Sequence, residues 1–149
     1  MLRLSKLADY AIVIASHSAK DPQRTHTAAE IALTVRIALP TVQKILKRLS
    51  QAGIFQSERG PHGGYRLARR PEEISVADLI AAMEGPIGLT ECTLAESRCQ
   101  QAQGCGIRLN LALIDRAIRV ALETVTLADM VKPTPELPIS LAALHAHPR

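Results

Sequence analysis

The chain has no tryptophan, one phenylalanine and two tyrosines in 149 residues, so its core must be built from Leu, Ile, Val and Ala. Long apolar runs are missing as well. None approaches the ~20 residues that cross a bilayer, so no membrane segment is expected. The apolar stretch Ala11–Ala15 is crowded by Lys6, Asp9 and His17, and reads as a helix rather than a signal peptide. Enzyme signatures are also absent: there is no Ser/His/Asp set, paired carboxylate or phosphate loop, and the five histidines are scattered. Catalysis is therefore not expected. Cysteine is scarce and odd in number, three in all, which argues against a disulfide framework and for a reducing, cytoplasmic setting.

Acidic residues are sparse in the first half. Residues 1–70 carry twelve Lys/Arg against four Asp/Glu, a net +8, whereas residues 71–149 carry six against ten, a net −4. A basic half beside an acidic one is the footprint of a nucleic-acid binder, because phosphate neutralisation with counterion release supplies most non-specific affinity.

The local patterns agree with that footprint. Ser5 can cap a first helix running to about Ser18, with Leu7, Ala11, Ile14 and Ala15 as its apolar stripe. Thr27 and Glu30 are spaced as a capping box for a short second helix. Pro40 suits the first turn of a third helix, which Gly53 ends. Val42, Ile45, Leu46 and Leu49 lie on one face of that helix, and Thr41, Gln43, Lys44, Lys47 and Arg48 on the other. Two short helices with a basic outer face describe a helix-turn-helix. Strand-like runs at Ile54–Ser57 and Tyr65–Leu67 flank a glycine-rich turn, giving a hairpin wing with Arg59 and His62 near its tip. The expected fold is mainly α with a small β-hairpin wing: a winged helix-turn-helix plus a long dimerisation helix. In this set Thr41, Gln43 and Lys44 are the candidates for base edges. Lys47, Arg48, Arg59 and His62 are the candidates for phosphates or the minor groove.

Ser75 can cap a further helix that Gly85-Pro86 stops, and from about Ile107 to Val125 a long amphipathic pattern returns. That helix would be about 27 Å long, more than so small a domain can cover, which predicts that part of its face meets a second copy across a two-fold axis. The chain thus divides into a winged helix-turn-helix domain over 1–84, a cysteine loop over 85–106, a dimerisation helix over 107–131 and a flexible tail over 132–149. The tail holds His145 and His147.

Cys92, Cys99 and Cys105 stand in a C-x6-C-x5-C pattern among small and polar residues that cannot bury three thiols. Zinc sites normally use closer pairs, and the common ferredoxin spacings are also shorter. Spacing alone therefore points to a metal site of unspecified kind, iron–sulfur or zinc, or to a bare thiol switch.

A resemblance narrows this. Leu4-Ser-Lys-Leu-Ala-Asp9-Tyr10-Ala11, then Leu39-Pro-Thr-Val42, then Arg59-Gly-Pro-His-Gly-Gly-Tyr65-Arg-Leu-Ala68, then the three cysteines, resemble the iron–sulfur winged-helix regulators over residues 1–131. The runs Ile74–Asp78 and Gly85–Cys92 look closest to the subgroup that regulates the Suf cluster-assembly operon. The resemblance implies a homodimeric transcription factor that binds double-stranded DNA and holds an iron–sulfur cluster on Cys92, Cys99 and Cys105. The Isc regulator's fourth ligand is a histidine three residues past the last cysteine; Arg108 stands there and cannot coordinate. Nitric-oxide-sensing members use an acidic residue of the partner's first helix, the position of Asp9 here. The departure from the histidine pattern leaves a two-iron or a four-iron cluster open. It also leaves a regulator of the same fold that answers redox, nitric oxide or zinc without a stable cluster.

Overall fold

Helix starts in this chain are written locally, in short polar side chains that satisfy the first backbone N–H groups. A computed structural model describes residues 3–61, 63–88, 90 and 105–133. The Ser5 hydroxyl accepts from the Ala8 amide at 3.2 Å and opens α1, Lys6–Ala19. At α2, Ala28–Val35, Thr27 and Glu30 close the reciprocal capping box, with the Thr27 amide donating to Glu30 at 2.7 Å. The recognition helix α3, Leu39–Gln51, has Pro40 in its first turn and no side-chain cap at Ala38. Between α2 and α3 the chain turns through Arg36, whose φ of 56° and ψ of 41° lie in the left-handed region. That conformation costs a residue with a Cβ roughly 1–2 kcal/mol, and glycine would adopt it freely.

The hairpin is formed by β1, Phe55–Glu58, and β2, Gly64–Leu67, antiparallel with Phe55 opposite Leu67 and Glu58 opposite Gly64. Its first strand starts one residue later than the sequence pattern suggests. The Ile54 amide is already committed to the Leu49 carbonyl in closing α3, at 2.9 Å. A third segment joins the pair: the His26 and Tyr65 backbones exchange hydrogen bonds of 2.9 and 2.8 Å. Gly64 permits this approach, since a Cβ there would stand 2.5 Å from the His26 carbonyl oxygen.

A single 3-10 turn at Pro71–Glu73 leads to α4, Val76–Glu84, opened by Ser75 and Asp78 as a second capping box. After the cysteine segment come α5, Arg108–Thr124, and the one-turn α6, Leu127–Met130, itself capped by Thr126 and Asp129. The junction of α5 and α6 returns to the start of α4: the Val76 amide donates to the Val125 carbonyl at 2.9 Å and the Leu127 amide to that of Ile74 at 2.8 Å.

The core is aliphatic, as the aromatic poverty requires. Ala8, Ala11 and Ile14 of α1 meet Ile31 of α2, Val42 and Leu46 of α3, Leu79 of α4 and Leu127 of α6, with the chain's one phenylalanine, Phe55, buried among them. The helix α5 differs from the rest. It packs on α4, and its one buried residue is Asp115 rather than an apolar side chain. Leu122 and Val125 reach the core, whereas Leu109 is 78% exposed and Leu113 and Ile114 are about half exposed, at 51% and 52%. No described helix is long and apolar enough to cross a membrane.

Candidate nucleic-acid interface and cysteine segment

The amphipathicity of α3 fixes what it offers to a ligand. Val42, Ile45, Leu46 and Leu49 are fully buried against the domain. That turns Gln43, Lys44 and Lys47 outward, with Thr41 half-buried at the helix start. These four share a surface beside the start of the helix, where a major groove would receive it. Arg48, grouped with them on sequence, is placed differently. Its Nη1 donates to the Met83 carbonyl at 2.9 Å, joining α3 to the last turn of α4.

The wing presents Arg59, exposed just past β1. Nearby acid is neutralised within the hairpin, where Arg66 Nε lies 2.9 Å from Glu58 Oε1. His62 lies outside the described residues, as do Cys92, Cys99, His145 and His147.

Beneath the wing base, the rings of His17 at the end of α1 and His26 stand 5.3 Å apart between centroids. His26 is buried, and its Nε2 has no hydrogen-bond partner among the described residues. Burial lowers both imidazole pKa values, and neighbouring positive charge lowers them further: His26, Lys20 and Arg24 for His17, and Arg24 for His26. Glu30 and Asp21 oppose that shift at His26.

Of the three cysteines, Cys105 is described. It is half-buried, three residues before α5, and its carbonyl accepts from the Arg108 amide at 3.2 Å. Arg108 itself is exposed. Asp9 is exposed on the first turn of α1 and lines an open groove with Arg3, Lys6 and Glu84. Among the described residues no three His, Cys, Asp or Glu side chains gather as a metal site. Thiolates are the donors that iron–sulfur centres take, and Cys105 is neither buried nor paired with another described cysteine.

The residues that lead into the cysteine segment are tied to three helices. Upstream, Glu84 accepts from the Ser5 amide at 2.9 Å and Met83 from Arg48. Arg119 of α5 donates to the Ile87 carbonyl at 3.2 Å and to Asp115 at 2.9 Å. Sequence patterning did not single out these contacts, or Arg36 at the helix-turn-helix corner.

A family model described as Rrf2, iron-dependent transcriptional regulator, matches residues 4–133. The transcriptional regulator NsrR of Bacillus subtilis (strain 168) is 31% identical over 135 residues, covering 88% of this chain and 91% of that protein. The regulator IscR of Vibrio atlanticus (strain LGP32) is 29% identical over 143 residues, covering 93% and 80%. In structure the chain is similar to CymR, the global cysteine regulator of B. subtilis, with a TM-score of 0.69 at 26% identity, covering 90% of this chain and 99% of that one. With a winged helix-turn-helix whose basic face is turned outward, and a match running through almost all its length, the chain belongs to the Rrf2 family of DNA-binding transcriptional regulators and is not an enzyme.

Proposed function

We propose that the chain works as a homodimer on a double-stranded operator, with its affinity set by an iron–sulfur cluster held on Cys92, Cys99 and Cys105. Asp9 of the partner subunit is the candidate fourth ligand, since Arg108 cannot serve. The target genes are those of cluster assembly of the Suf type, in keeping with the resemblance at Ile74–Asp78 and Gly85–Cys92.

One observation carries the reading: the cysteine segment begins at a helix hydrogen-bonded to the recognition helix, through Arg48 and Met83, and ends at α5 with its exposed apolar residues. When bound, the cluster supplies cohesive thiolate bonds that are sensitive to oxidants and nitric oxide. The chain's own residues do the rest. Lys47 and Arg59 supply charge for phosphates, Thr41, Gln43 and Lys44 can address base edges, and Leu109, Leu113 and Ile114 offer the surface for a second copy. Half-sites are read about one helical turn, 34–36 Å, apart, so a small rotation between subunits moves a recognition helix out of register. A coupling of this kind is typically about 1–3 kcal/mol.

The test is anaerobic purification of Cys99→Ala. The variant should lose the visible absorption of the cluster and keep its helical circular dichroism; an unchanged cluster spectrum would remove Cys99 from the ligand set. A second reading, a regulator of the same fold that works through bare thiols or zinc, has the likeness to the global cysteine regulator in its favour. Iron and sulfide assay on the same preparation separates the two.

A further inference from the structure

Arg36 occupies the one left-handed non-glycine position among the described residues. The left-handed turn closes α2, with the Arg36 and Ile37 amides both donating to the Ala32 carbonyl, a geometry that glycine would supply without strain and that makes no use of the arginine side chain. The side chain is exposed, and its guanidinium makes no ion pair or hydrogen bond with any described residue. By contrast Arg24, Arg66, Arg69, Arg70 and Arg119 are each paired with a carboxylate.

Arg3, Arg59, Arg108 and Arg116 also lack a carboxylate partner among the described residues, and it is its place in the fold that gives the Arg36 charge a use. Arg36 is three residues before Leu39, the first residue of the recognition helix. A helix with its side chains is about 10–12 Å across, and the major groove is about 12 Å wide. A helix seated in the groove therefore fills it, and a side chain projecting from the turn just outside the helix start meets the phosphate wall. An arginine suits that contact, because its planar fork matches phosphate oxygens. We propose that Arg36 is a phosphate-contacting residue of the DNA interface, held on a strained turn that sets the recognition helix in the groove. The assignment rests on DNA binding and needs no cluster.

The strain makes the test sharp, because stability and binding should move in opposite directions. The probe is a fluorescein-labelled duplex enriched by in vitro selection on the wild-type protein, titrated at several salt concentrations. Arg36→Gly should raise the melting temperature, weaken duplex binding about tenfold at low salt, and flatten the salt dependence by about 0.9 in log–log slope per Arg36 engaged. Arg36→Gln, which keeps the Cβ and loses the charge, should flatten the slope without the gain in melting temperature. Arg36→Lys should keep the slope. An Arg36→Gly protein that melts higher yet binds with wild-type affinity and slope would overturn the assignment. So would a joint fall in melting temperature and affinity, which would make the residue a structural one. Selection on the wild-type protein that enriched no duplex at any salt concentration would overturn both this assignment and the reading it rests on.

Discussion

Arg48 Nη1 donates to the carbonyl oxygen of Met83 across 2.9 Å, so a cation on the recognition helix is spent on the helix that leads into the cysteine segment. A charged donor on a half-buried carbonyl is worth more than a neutral one, and removing it strands the acceptor. Arg48→Met should therefore destabilise the fold by about 1–2 kcal/mol in urea denaturation and leave the salt dependence of DNA binding unchanged. A slope flattened by about 1 would return Arg48 to the phosphate-contacting set.

The histidine pair predicts an acid-sensitive wing. Both imidazole pKa values are lowered in the folded protein from an ordinary value near 6.5. On acidification below about 6.5 the unfolded chain takes up protons that the folded chain resists, so stability falls with falling pH. The paired acids Glu30, Glu73 and Asp129 are held below their ordinary values of 4.5, 4.5 and 3.8 by hydrogen bonds with Thr27, Arg70 and Lys132 respectively. They lose their contribution only in more acidic solution, leaving pH 5–6.5 to the histidines as a window of about 1.5 units. Denaturation midpoints should drop between pH 7 and 5.5, and His26→Gln should reduce the drop. A midpoint that stayed level through this range would contradict the pairing.

Gly64 is where a strand of the wing passes closest to another backbone. A Cβ there would stand 2.5 Å from the His26 carbonyl oxygen and 2.9 Å from its carbon, both backbone atoms that cannot swing away. Gly64→Ala should cost roughly 1–3 kcal/mol of stability and loosen the His26–Tyr65 bridge, read as faster amide exchange at Tyr65. Wild-type exchange there would show that the hairpin moves as a unit to admit the methyl.

The exposed apolar residues of α5 predict a second copy. Leu109 and Leu113, four residues apart, share one face of the helix and are 78% and 51% exposed. A Leu109→Glu/Leu113→Glu variant should sediment as a monomer and keep its helicity. Retention of the wild-type sedimentation coefficient would place the association elsewhere.

Much of this fold was legible because its punctuation is local. Ser5, Thr27 and Ser75 announce helix starts through side chains that act within three residues, and α3 follows its apolar spacing. Long-range pairings were not legible. The bridges of His26 to Tyr65 and Ser75 to Thr126 join segments about forty and fifty residues apart through backbone atoms, which carry no residue signature. Direction was hidden too. Arg48 lies only about 100° around the helix from buried Leu49, and pattern alone does not say whether so long a side chain reaches out to DNA or back to α4. In α5 the buried carboxylate Asp115, paired with Arg119, stands where periodicity would favour an apolar residue.

The most direct measurement compares operator affinity of anaerobically purified protein before and after cluster removal by chelation, on one selected duplex at one salt concentration. Cluster control predicts a change of about 5- to 150-fold, reversed on anaerobic reconstitution with iron and sulfide and absent in Cys99→Ala. Equal affinity of the two forms, from protein shown to carry iron and sulfide before treatment, would contradict it.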